Sequence, residues 1–415
     1  MSEATSSPPL ARGHTVRGDA EDEGEAGGVV KPSRVPLWLK GVAPLLLLGM
    51  LLLAFARFGP VGVFQKVFPP IEELTVQRIT LPEPGLLEVD VVNGGPEPVT
   101  IAQVLVDDAA WAHQLDGPRL LERLDRRTIT IPYPWVEGEP HAVRLVTSTG
   151  VTFDADIAVA TETPAPDGRY LGTFALLGIY VGVLPVLLGL LWLPFLRGID
   201  RRWLDFFLAL TIGLLVFLGL DALGEALETA GAVPGAFQGL GLVALGLIGT
   251  PLLLAGAGSL RGTRPSGFDL ALLVAVGIGL HNLGEGLVIG AAYATGEIAL
   301  GTFLVIGFLL HNTTEGLAIV APLADRRTTL WRLALLGLIA GVPTIAGAWI
   351  GGFVYSPLWT TLFFAVGAGA ILQVVWAIGG SFLDRVPHGL AQPRVAGGLV
   401  TGMLLMYATG LFIAA

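Results

Sequence analysis

A chain of 415 residues that is 53% hydrophobic and 14% charged, with a mean hydropathy of +0.71, lacks the polar surface of a water-soluble domain and reads as a polytopic membrane protein. It has no cysteine, which excludes disulfides and thiolate metal sites, so any metal must be held by His, carboxylate, amide, hydroxyl or water. The net charge of -10 comes with no basic surface in the sequence, which excludes a nucleic-acid partner.

Residues 1–34, rich in Ser, Gly, Glu and Pro and poor in large apolar side chains, predict a disordered cytoplasmic tail. Its one histidine, His14, is not a metal-binding tract. Residues 35–58 form an apolar segment expected to be an N-terminal transmembrane signal anchor. The Ala54-Phe55-Ala56 stretch at its end also permits cleavage as a signal peptide, and either outcome exports the adjoining C-terminal region. Over 70–165 the pattern changes to short β-branched runs, TVQRITL, LLEVDVV, VTIAQVLV, RTITIPY, HAVRLVT and VTFDADIAVA, separated by turn signals such as NGGPEP and STG. These predict a small extracytoplasmic all-β domain, an immunoglobulin-like sandwich. His113 and His141 lie in it without ligand-like spacing and read as ordinary surface or core residues.

From 170 to 415, eight apolar segments are each long enough, at about 20 residues or more, to cross a bilayer as helices. They cover 170–197, 203–229, 236–258, 268–295, 298–323, 330–354, 359–383 and 395–415. The loops RGIDRR, RGTRPSG, DRRTTLWR and DRVPHGLAQPR fall on one side, whereas ETAGAVPG, ATGE and YSPLW on the other contain no Lys or Arg. The basic side is expected in the cytoplasm, which puts the β domain and the C-terminus outside. The fold class expected is an all-α polytopic membrane protein, an eight-helix unit plus one N-terminal apolar helix, carrying a small extracytoplasmic all-β domain.

HNLGEG at His281 lies midway along the fourth segment of the unit, and HNTTEG at His311 midway along the fifth. Each histidine stands 15 residues from the turn near Gly296, so two antiparallel helices bring both to one depth near the bilayer midplane, a depth that suits a transport site. At about 100° per residue, Glu285 is roughly 40° round the helix from His281 and lies between it and Asn282; His311, Asn312 and Glu315 repeat the arrangement. Facing helices then offer a His-rich position and an Asn-rich position, with both glutamates able to bridge them. Neutral imidazole and carboxylate favour zinc and accept iron(II), manganese, cobalt or cadmium. One copy alone would read almost as well as interhelical hydrogen bonding without a metal. The second copy at matched depth, with an ionisable Glu in each, favours the metal.

The consecutive HNLGEG and HNTTEG motifs resemble the signature of the ZIP (Zrt/Irt-like) family of divalent metal transporters, over 170–415. The resemblance implies a homodimeric eight-helix fold with inverted repeats, both ends of the unit outside, a binuclear metal site on the fourth and fifth helices, and cation movement into the cytoplasm. By position, His281, Glu285, His311 and Glu315 look like the primary site; Asn282 and Asn312, with the bridging glutamates, look like the secondary one. Gly284 and Thr314 stand where the family usually has Pro, and the kink that Pro gives is expected from Gly284 but not from Thr314. Thr344, in GVPTIAGAWIGG, stands where an acidic residue often completes the secondary site, which is therefore expected to be weaker or empty. The seventh helix offers only Gln373.

In the second helix of the unit, DALGEALE sets Asp221, Glu225 and Glu228 on one stripe that forms a possible cation entry pathway. The competing reading is a helix end whose acids face water. Glycine pairs at Gly337/Gly341 and Gly347/Gly351 predict close helix packing. His388, beside Arg385 and Arg394 in a loop, reads as solvated. The function expected is import of zinc, or iron, manganese, cobalt or cadmium, by a multi-pass cell-membrane protein that is not an enzyme, needs no cofactor and works as a homodimer in the lipid bilayer. No P-loop or phosphorylation motif supports ATP coupling; proton-linked and channel-like modes stay open. The alternatives are an intramembrane zinc-dependent hydrolase, against which stands the lack of HExxH and of a third histidine in the spans, and a membrane metal sensor.

Overall fold

The computed structural model describes residues 36–58, 71–259, 267–295, 298–383 and 389–411. The tail with His14, the turn at Gly296, and Arg385 and His388 lie outside them. The chain forms two compact units, Met1–Pro69 and Pro70–Ala415. In the first, α1 (Leu37–Phe58) is a 22-residue helix with Pro44 inside it. Its apolar part, Gly41–Phe55, is shorter than the spans of the second unit.

The second unit begins with nine strands, β1 (Leu74–Thr80), β2 (Leu87–Asn93), β3 (Val99–Val106), β4 (Ala109–Trp111), β5 (Gln114–Leu115), β6 (Leu120–Leu121), β7 (Arg126–Ile131), β8 (His141–Thr147) and β9 (Thr152–Ile157). The six expected runs are β1, β2, β3, β7, β8 and β9. The other three strands have two or three residues each, too few for an alternating pattern to show in the sequence. One sheet has the order β1-β2-β7-β5 and the other β4-β3-β8-β9, with β6 also paired to β3. Period-two alternation buries Leu87, Val89 and Val91 of β2 and Val143 and Leu145 of β8, and these meet Ile101, Val104 and Ile129 in a core shared by both sheets. The β3–β4 hairpin turns through Asp107 and Asp108, at φ of 51° and 61°, the left-handed geometry of a tight two-residue turn. Asp107 is fixed there by the Tyr133 hydroxyl at 2.6 Å, the His141 Nδ1 at 2.8 Å and the Ala142 N–H at 2.9 Å. The Tyr133 and Ala142 hydrogen bonds, with His141, lower the Asp107 carboxyl to about 2, while burial and Asp107 push Tyr133 up to about 12.

Among the described residues eight helices complete the unit: α2 (Gly168–Gly198, with a π turn at Ile179–Val183), α3 (Arg201–Ala230), α4 (Gly239–Ser259), α5 (Phe268–Ala294), α6 (Ile298–Val320), α7 (Leu330–Val354), α8 (Pro357–Leu383) and α9 (Pro393–Gly410). Among the described residues seven helices, α2 to α8, contain a stretch long and apolar enough to cross a membrane, which indicates a multi-pass membrane protein. The eighth expected segment, 395–415, is α9, which is described as an 18-residue helix opening with Pro393 and Arg394; residues 412–415 lie outside the described residues.

Small residues set the packing. On α7, Gly347 and Gly351 lie against the backbone carbonyls of Leu283 and Leu287 of α5, where no Cβ fits. Gly316 of α6 meets α2 in the same way at the Val186 carbonyl. Consequently α5 packs chiefly on α7, and α6 chiefly on α2. Among the described residues, side-chain hydrogen bonds from Arg78 and to Glu73 tie the β region to the helices. The Arg78 guanidinium donates to the Phe353 and Gly352 carbonyls at the end of α7, at 2.7 and 3.2 Å. The Glu73 carboxylate accepts from the Gly235 N–H, at 2.7 Å, in the loop between α3 and α4.

Candidate metal centre

The apolar lengths of α5 and α6 carry their few polar groups into the interior. His281, Asn282 and Glu285 on α5 and His311, Asn312 and Glu315 on α6 are each at most 3% exposed. Spacing of four residues stacks each histidine over its own glutamate on the helix face. His281 Nε2 lies 3.3 Å from Glu285 Oε1, and His311 Nε2 lies 3.7 Å from both Glu285 Oε1 and Glu315 Oε1. The two imidazole rings stack with centroids 5.9 Å apart and 15° between their planes. One donor atom from each of the four residues falls within 4.8 Å of the others.

The asparagines form a second layer that repeats with the helices exchanged. Asn282 Nδ2 donates to Glu315 Oε2 at 3.1 Å and to the Ala340 carbonyl of α7 at 3.2 Å. Asn312 Nδ2 donates to Glu285 Oε2 at 3.0 Å and to the Val181 carbonyl at 3.0 Å. Val181 sits in the π turn of α2, where the i−4 ladder is interrupted, and Ala340 sits one turn before Pro343. These carbonyl partners have no sequence signal, because any residue supplies one.

Several buried polar atoms at the site have no hydrogen-bond partner. Both nitrogens of His281 and His311, and Oε1 of Glu285 and Glu315, are buried without a hydrogen bond in a site where such groups cost several kcal/mol unpaired. Two imidazoles and two carboxylates make a four-donor set of the kind a tetrahedral dication takes. With metal–ligand bonds of ~2.05 Å, tetrahedral donors stand about 3.3 Å apart. The separations of 3.3, 3.7 and 3.7 Å match this within a few tenths of an ångström, and the widest pair needs a larger closure.

The remaining sequence candidates are placed less closely. Thr344 is fully buried on α7, with Oγ1 lacking a hydrogen-bond partner. On α3, Asp221 and Glu228 are exposed and Glu225 is half-buried; among the described residues no hydrogen bond or ion pair joins them to the four donors. Gly284 makes room for the Phe364 ring of α8 in an α5 that runs unbroken as helix, so its role is close packing. Thr314 turns its hydroxyl back onto the His311 carbonyl at 2.7 Å. Gln373 is half-buried on α8. In comparison with known proteins, the chain matches no family model and no curated protein.

Proposed function

We propose that the chain carries divalent cations across the membrane, zinc foremost, by exposing the His281–Glu285–His311–Glu315 site to the two sides in turn. The observation that carries this reading is the convergence of four buried imidazole and carboxylate donors, unpaired by hydrogen bonds, midway along two apolar helices. A lone charge is expensive at that depth, and a bound dication offsets it. The HNLGEG and HNTTEG resemblance to ZIP transporters points the same way and supplies the finer expectations: a homodimer, import into the cytoplasm, residence in the cell membrane, and an extracytoplasmic immunoglobulin-like β domain. Asp221, Glu225 and Glu228 form a stripe that would draw cations towards the site. Four protein donors complete a tetrahedral shell and leave no position for an attacking water, which favours carriage over hydrolysis.

The test is Zn2+ uptake into proteoliposomes containing the purified chain. Uptake is expected from the wild-type protein and lost in Glu285→Ala and in Glu315→Ala. Undiminished uptake in both variants would remove the assignment.

A further inference from the structure

We propose that Asn282 and Asn312 act as positioning residues, each holding the carboxylate of the facing helix through its amide N–H groups. The inference rests on reading the four donors as a dication site and says what the amides beside it do.

A side-chain amide has one donating and one accepting end, and here the accepting Oδ1 of both asparagines is buried without a hydrogen-bond partner. Asn282 Nδ2 faces Glu315 Oε2 and the Ala340 carbonyl, and Asn312 Nδ2 faces Glu285 Oε2 and the Val181 carbonyl. Carboxylate and peptide oxygens only accept, so the partners settle which end of each amide points where: turning it over would set oxygen against two oxygens. Each amide therefore engages Oε2 of one glutamate and leaves Oε1, the oxygen turned to the histidines, for the ion. The same amides fasten the carboxylates to the flanking helices. Glu315 of α6 is tied through Asn282 to α7, and Glu285 of α5 is tied through Asn312 to α2. In a low-dielectric interior a neutral donor to a carboxylate is a strong restraint on its orientation. The repeated His-Asn pair thus divides its labour, with the imidazole facing the ion and the amide N–H groups facing the opposite helix's acid.

Replacing the amide by a carboxylate separates the two roles, because Asn→Asp keeps the size, removes the donor and supplies a better cation ligand. Calorimetry with Zn2+ on the purified full chain, and the ligand-field spectrum of bound Co2+, are the readouts. Positioning predicts that Asn282→Asp and Asn312→Asp each weaken Zn2+ binding by about 10- to 100-fold, the usual cost of losing a partner that orients a ligand, and shift the Co2+ spectrum. Unchanged or tighter binding in both variants would overturn the proposal. A wild-type protein that binds no Zn2+ would instead remove the underlying site. Because the variants put two carboxylates together, at a cost to folding, the thermal midpoint of the metal-free protein gives a second readout. The double variant Asn282→Asp/Glu315→Gln exchanges donor and acceptor and is expected to recover part of the midpoint lost in Asn282→Asp. No recovery also counts against the proposal.

Discussion

In Glu285 and Glu315 the two carboxylate oxygens face different neighbours. Each Oε2 accepts from an asparagine, while each Oε1 is turned to a histidine without a hydrogen bond. Taking an ionised carboxylate out of water costs several kcal/mol even after relaxation, so the two acids need either protons or a cation. The six side chains of this group were legible in the sequence because polar residues at matched depth in apolar runs are conspicuous. The direction in which each amide points was not, since it depends on carbonyls of α2 and α7 that the repeat does not encode. In the β sheets, the hydrogen bonds from Tyr133 and Ala142 keep Asp107 ionised down to about 2, below its ordinary value of 3.8. A depressed carboxyl contributes stability that is fully present above its ordinary value and is lost as pH falls through the folded one. Asp107→Asn has no such dependence. Hydrogen exchange over residues 141–147, corrected for the intrinsic pH effect, should show wild-type protection exceeding that of the variant above pH ~4 and converging on it towards pH ~2. With Asp107 44% exposed the effect is modest, and a difference that stays constant over the window would contradict the assignment.

At the scale of elements, glycine spacing decides which helices touch. Gly347 and Gly351 let α7 lie on the α5 backbone beside Leu283 and Leu287, directly behind the donors. In Gly347→Ala the added methyl would meet the Leu283 carbonyl and the Leu287 nitrogen, an overpacking expected to cost about 1–3 kcal/mol and to lower the thermal midpoint in detergent. Gly379→Ala is the control: nothing lies within 4 Å of its Cβ position on α8, and its midpoint should hold or rise slightly. Equal midpoints for the two variants would contradict the close α5–α7 contact. Hydropathy located the helices well, because long apolar runs have few alternative readings. It was blind to the π turn of α2, which no residue type marks. Alternation likewise revealed the six long strands and missed the three whose pairing is set by their neighbours.

At the scale of the whole molecule, the β sheets and helices α2 to α9 belong to one unit, joined among the described residues by specific contacts. Arg78 reaches the last carbonyls of α7, the end of a helix where a cation is favoured. Burial there pulls the guanidinium pKa down, and Asp90 opposes the shift. Glu73 holds the α3–α4 loop at Gly235. Neither contact was legible in the sequence, because the partners are backbone groups 162 to 275 residues away. The helix that Arg78 caps is the one that packs on α5 and supplies the Ala340 carbonyl to Asn282, so the β region sits on the same framework that orients the donors. The central claim, that α5 and α6 together hold one dication, is tested most directly by anomalous diffraction at the zinc edge from the purified chain crystallised with Zn2+. The account predicts a peak at about 2.0–2.2 Å from nitrogen of His281 and His311 and oxygen of Glu285 and Glu315, lost in a Glu285→Gln/Glu315→Gln variant. Ordered side chains with no peak between them in excess Zn2+ would contradict it.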